Sequence, residues 1–135
     1  MQGFSETQAP FGRARPEPGP SERASVVAKA LIRAADLLAI SGKELAAIIG
    51  FSEASLSRLR HGSDTTLTGK PYELALLFIR VYRSLDAIMG GDDIAAQEWL
   101  RADNTALGGK PLERIKTIDG LTHVLAYLDA RRAPV

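Results

Sequence analysis

Between Ser41 and Gly62 the chain reads SGKELAAIIGFSEASLSRLRHG. Ser41 followed by Glu44 is a capping box, in which hydroxyl and carboxylate each accept from the other residue's backbone N–H. A helix is therefore predicted from Gly42 or Lys43 to about Ile49. Gly50 ends it, since glycine alone enters the left-handed conformation of a sharp turn without steric cost. Ser52 offers a second cap, and the helix it starts runs from Glu53 through Arg60 until Gly62 stops it. Leu45 and Ile49 lie one turn apart on the first helix, and Leu56 and Leu59 share a face of the second, so each pair makes a buried stripe. Ala46 lets the two helices approach closely. Two short helices joined in this way form a helix-turn-helix.

The other face of the second helix carries Ser52, Glu53, Ala54, Ser57 and Arg58, mostly short or flexible polar residues of the kind a recognition helix turns to the major groove. The competing interpretation is an ordinary helical hairpin inside an all-helical core. The formal net charge is +1, low for a non-specific DNA binder. The charge is uneven, however: from Ser55 to Lys70, Arg58, Arg60 and Lys70 face Asp64 alone. Ser52, Glu53, Ser55, Ser57, Arg58, Arg60 and Lys70 are accordingly the expected DNA contacts. Glu53 can accept from a cytosine but repels phosphate.

Working outward, residues 1–20 hold four of the seven prolines and no apolar periodicity, and are expected to be a disordered tail. Arg13 and Arg15 there could touch DNA as a basic arm, although Glu6 and Glu17 cancel their charge. From Ser21, expected as the cap, to Ile40, the residues Val26, Val27, Ala30, Leu31, Ala34, Leu37 and Leu38 make one broad apolar face of a supporting helix. After a polar loop, Pro71 opens a helix to Met89 with Leu74, Leu77, Phe78, Val81, Tyr82, Leu85 and Ile88 at spacings of three and four. Gly90 and Gly91 end it. A domain spanning 21–90 and a second spanning 91–135 are therefore expected. In the second, Asp92 caps a helix from Asp93 to about Ala102 with Ile94, Ala95, Trp99 and Leu100 apolar. Pro111 opens a short helix to Lys116, and Thr117 or Asp119 caps a last one carrying Leu121, Val124, Leu125 and Leu128 to about Arg132. No window alternates with period two, so the fold class is all-α.

A chain of 135 residues has room for one globular domain or two very small helical ones. The absence of cysteine excludes a disulfide framework and a thiolate metal site. His61 and His123 are too few for a histidine cluster. Leu74 to Ile79, the longest apolar run, is far too short to cross a bilayer, and a cytoplasmic location is expected. Gly108-Gly109-Lys110 lacks the hydroxyl and the earlier glycine of a phosphate loop, with Pro111 where Ser or Thr is needed. Nothing assembles a nucleophile, a base and an oxyanion site, so neither an enzyme, a cofactor nor a metal is expected.

Trp99-Leu100, Leu107-Gly108-Gly109, Pro111-Leu112-Glu113, Thr117, Gly120, Val124 and Leu128 resemble the C-terminal toxin-binding domain of the Xre/MbcA/ParS antitoxins, which follows a Cro-like helix-turn-helix. The resemblance spans roughly residues 25–130. Asp103 before Asn104, where proline is frequent in the family, and Arg114-Ile115, in place of a more apolar pair, depart from it. The resemblance implies a dimeric type II antitoxin that represses its own operon by binding operator DNA and neutralises a RES-domain toxin, of the kind that depletes cellular NAD. It also implies that the last helix and tail make the inhibitory contact, through Leu121, Val124, Leu125, Leu128, Arg131, Arg132 and Val135. The alternatives are a stand-alone helix-turn-helix repressor whose C-terminal helices only dimerise it, and an interaction protein that has lost DNA binding.

Overall fold

A computed structural model describes Glu17, residues 19–62 and residues 66–132. Among these residues the chain forms α1 (Pro20–Leu37), α2 (Gly42–Ile49), α3 (Glu53–Arg60), α4 (Gly69–Ile88), α5 (Asp93–Arg101), a 3-10 turn (Thr105–Leu107), α6 (Pro111–Arg114) and α7 (Ile118–Arg132). The tail expected over residues 1–20, with Arg13 and Arg15, falls mostly outside the described residues. Its last residues correct the start of α1: Gly19 is the cap, with its N–H donating to Glu22 Oε1 at 3.2 Å, and Pro20 fills the first turn, so Ser21 is already helical. The helix also stops at Leu37, short of Ile40, because Ala39 takes a left-handed φ of 55°. That corner turns the chain toward α2 while Ile40 stays buried.

The helix-turn-helix forms as its local signals require. Ser41 Oγ accepts from Glu44 N at 3.1 Å, and Glu44 Oε1 accepts from Ser41 N at 2.9 Å. Gly50 takes a φ of 76° at the end of α2, and Ser52 Oγ caps α3 by accepting from Ser55 N at 3.0 Å. Leu45, Ala46, Ile49 and Leu56 are buried, and Leu59 is half-buried at the edge of the core.

α4 is the axis of the molecule. α1 and α2 pack against one part of its surface, and α7 makes the most extensive helix–helix contact of all against another. Buried side chains from before and after Gly90–Gly91 join one apolar cluster, from Leu31, Leu45 and Ile49 through Phe78, Val81 and Leu85 to Leu100, Ile115, Leu121 and Leu128. Three apolar residues expected to face inward do not: Val26 is 66% exposed, Ile94 62% and Ile88 37%.

The C-terminal helices are set by equally local chemistry. Asp92 caps α5, accepting from Ala95 N at 3.0 Å, and α5 ends at Arg101. Asn104 Oδ1 caps the 3-10 turn by accepting from Leu107 N at 3.2 Å. Helix α6 is one turn, ending at Arg114 rather than Lys116. Thr117, not Asp119, caps α7, with Gly120 N donating to its Oγ1 at 3.1 Å. Gly120 is buried where α7 crosses α6, and a Cβ there would collide with the Arg114 carbonyl.

Candidate DNA-binding and toxin-binding surfaces

Helix α3 is held by little. Leu56 alone is fully buried in it, and the exposed residues Ala54, Ser57, Arg58 and His61 fall at i, i+3, i+4 and i+7. They form one outward stripe. The Arg58 guanidinium donates from Nη2 to Ser55 Oγ at 3.1 Å, which lays it along the helix. His61 Nδ1 lies 2.9 Å from the Ser57 carbonyl. A carbonyl only accepts, so Nδ1 carries the hydrogen and Nε2 is left facing outward.

The other expected DNA contacts are placed differently. Arg60 turns back toward α1, where Nη1 donates to both carboxylate oxygens of Asp36 at 3.1 and 3.3 Å. It braces α3 against the supporting helix. Ser52 spends its hydroxyl on the cap, and Ser55 is half-buried. Glu53 lines a small cleft together with Lys43 and Arg60, on the flank of α3 that faces α2. Lys70 pairs with Glu73 at 3.3 Å, and with both side chains about two-thirds exposed the pair is open to exchange for a phosphate.

The C-terminal helices reach into this half of the molecule. From α5, Arg101 donates to the Ala39 carbonyl at 2.7 Å and lies 3.4 Å from Glu44 Oε2. Gln97 donates to the Leu37 carbonyl at 2.9 Å. Both contacts close the α1–α2 corner that sets the helix-turn-helix. Burial raises the proton affinity of Glu44, but the Ser41 backbone N–H and the Arg101 guanidinium outweigh it, and the carboxyl titrates below its ordinary range. On the open side of that junction, burial and the carboxylates of Asp86 and Asp93 raise Tyr82 above the usual phenol range, against the pull of Arg33.

Helix α7 corrects the expected toxin surface. Leu121, Val124, Leu125 and Leu128 are buried in the chain's own core, Leu125 the most exposed of them at 5%. They are unavailable to a partner in this conformation. Val135 lies outside the described residues. Arg131 and Arg132 are exposed but diverge. Arg132 donates from Nη1 to Ser84 Oγ at 3.2 Å on α4, where buried Ser84 donates to Asp129 Oδ1 at 2.8 Å and Arg80 pairs with Asp129 at 3.3 Å. Arg131 lies on the α5 side, its guanidinium carbon 3.5 Å from the centre of the Tyr127 ring. Tyr127 in turn stacks on Trp99 of α5, with ring centres 6.3 Å apart and planes at 29°. Sequence periodicity could not mark Tyr127, because it falls beside the apolar stripe and not in it. Trp99 was legible as an apolar residue of α5 and as part of the family resemblance, but not as the partner of Tyr127.

An outward polar stripe on the second helix of a helix-turn-helix, joined through α4 to a second set of helices, is the architecture of a DNA-binding regulator with an added interaction unit. The Antitoxin Xre-like helix-turn-helix domain matches residues 17–80, and the Antitoxin Xre/MbcA/ParS C-terminal toxin-binding domain matches residues 84–133. The two meet inside α4 and together span most of the chain, which belongs to the Xre/MbcA/ParS antitoxin family. It is a type II antitoxin whose partners are DNA and a toxin protein. Comparison with curated proteins gives no match. Among the described residues, no helix is long and apolar enough to cross a membrane.

Proposed function

We propose that this antitoxin neutralises a RES-domain, NAD-degrading toxin by covering its active site with the end of α7 and the residues after it, and that as a homodimer it represses its own operon through α3. The observation that carries this is the pair of cations at the end of α7. Arg131 and Arg132 stand exposed at the terminus of a helix anchored along α4, inside the segment matched to the toxin-binding domain. Guanidinium groups suit a site that holds a phosphorylated dinucleotide or the acidic residues around it. Dimerisation pairs two short α3 stripes with two operator half-sites one helical turn apart, which compensates for the modest charge of each chain.

Removing α7 would expose the core, so the test is a charge reversal that leaves the core intact. The chain is co-expressed with a RES-domain toxin in a bacterial host, and growth and cellular NAD are followed. The wild-type chain should restore both, and the double variant Arg131→Glu, Arg132→Glu should fail to do so while still repressing a reporter under its operator. A wild-type chain that represses the reporter but leaves NAD depleted would point instead to a stand-alone repressor whose C-terminal helices only dimerise it.

A further inference from the structure

The toxin-binding segment has spent its apolar stripe on its own core, so the energy for holding a partner must come from other side chains. Trp99, Tyr127 and Arg131 are the obvious reserve. All three lie within residues 84–133, Trp99 and Tyr127 are half-buried with one side packed on the core, and Arg131 is exposed above them. Tryptophan, tyrosine and arginine dominate interface hot spots because they bring large, stiff contact area or forked donors at small entropic cost.

We propose that the Trp99–Tyr127–Arg131 stack is the anchor of the toxin contact, receiving an apolar recess on the toxin that carries a carboxylate at its edge. The proposal rests on the toxin-binding role proposed for this end of α7, and it names where on α5 and α7 the contact is centred. Three features support this occupant. Trp99 and Tyr127 each pack one side against the core cluster, in helices whose Ala96, Leu100, Val124 and Leu128 are buried in it. The Arg131 guanidinium is already oriented, stacked on the Tyr127 ring and donating from Nη1 to the Tyr127 carbonyl at 3.2 Å. Its remaining N–H groups form an edge suited to a carboxylate. Finally, Asp129 is turned to the opposite flank by Arg80 and Ser84, so among the described residues no carboxylate pairs with Arg131. The stack therefore keeps its positive charge for an acidic partner.

Trp99 is the only tryptophan in the chain, so 5-fluorotryptophan places a single fluorine probe in the stack. Adding an unlabelled RES-domain toxin should shift or broaden that one fluorine resonance. By calorimetry, Arg131→Ala and Tyr127→Leu, which keeps an apolar side chain on the core but removes the ring, should each weaken toxin binding by about tenfold or more with helicity and melting unchanged. Val26→Ser, on the open flank of α1, should leave affinity as it was. Should Tyr127→Leu lower the melting temperature, Arg131→Ala and the fluorine shift still decide the matter. Toxin binding that leaves the resonance in place and Arg131→Ala within about twofold of wild type would overturn the anchor alone. A wild-type chain that does not bind the RES-domain toxin would remove the proposed partner, and the anchor with it.

Discussion

Helices α3 and α7 lie in the segments matched to the helix-turn-helix and toxin-binding domains, and they are built in opposite ways. The eight residues of α3 bury Leu56 alone and turn a stripe of Ala54, Ser57, Arg58 and His61 outward. The fifteen residues of α7 bury Gly120, Leu121, Val124, Leu125 and Leu128 against α4 and α6, and leave for a partner only what flanks that stripe. Apolar periodicity therefore identifies a helix that packs, and says nothing of what it packs against. In α3 the polar remainder is the face left open to a partner; in α7 the apolar stripe invites the same assignment and belongs to the core.

Substitution of Leu121 breaks the comparison most severely. Leu121→Ala should cost about 2–5 kcal/mol of stability, a large share of a small domain's total, and should weaken operator and toxin binding together because the core is shared. Circular dichroism melting checks this. Unchanged melting with toxin binding lost would mean that Leu121 faces the toxin after all. On α3, Arg58→Ala should cost about 1–3 kcal/mol of operator affinity in a binding titration and leave melting unchanged. Ser41→Ala removes one half of the capping box and should destabilise the chain by about 1 kcal/mol in denaturant titration. The smallest expected effect is that of Arg60→Ala, whose half-exposed pair with Asp36 is worth at most about 1 kcal/mol of stability. A loss of operator affinity from Arg60→Ala as large as that from Arg58→Ala would show that Arg60 swings outward on DNA.

The junction between the two halves carries a pH dependence. Glu44 is held below its unfolded value, so its contribution to stability is present above the ordinary carboxylate range and fades as pH falls through the depressed folded value. Glu44→Gln should remove that part of the acid limb of a stability–pH curve. Arg101→Ala should shrink it, since the guanidinium is one of the groups that lower the carboxyl. A limb of the same slope in Glu44→Gln would assign the acid sensitivity to other carboxylates.

Much of this was legible because it is local. The Ser41–Glu44 box, the Gly50 turn, the Ser52 and Asp92 caps and the Pro111 start each lie within a few residues of the backbone groups they satisfy, and the resemblance carried by Trp99, Gly120 and their neighbours led to the right family. Placement across the molecule was not legible. That Arg60 reaches Asp36 and that Arg101 reaches Ala39 and Glu44 depends on partners 24, 62 and 57 residues away, which no local pattern encodes. Arg131 and Arg132 are adjacent in the chain, yet helical geometry sends one toward Tyr127 and the other toward Ser84. The exposure of Val26, Ile88 and Ile94 is likewise a matter of tertiary placement, which their own periodicity cannot report.

Amide hydrogen exchange of the free antitoxin tests the central claim, that the apolar stripe of α7 is core and not a surface kept for the toxin. The expected result is that amides from Leu121 to Leu128 are protected to the same degree as those of Phe78 to Leu85 in α4 before any toxin is added, because both belong to one buried cluster. Rapid exchange across α7 in the free chain, with protection appearing only when the toxin binds, would contradict it.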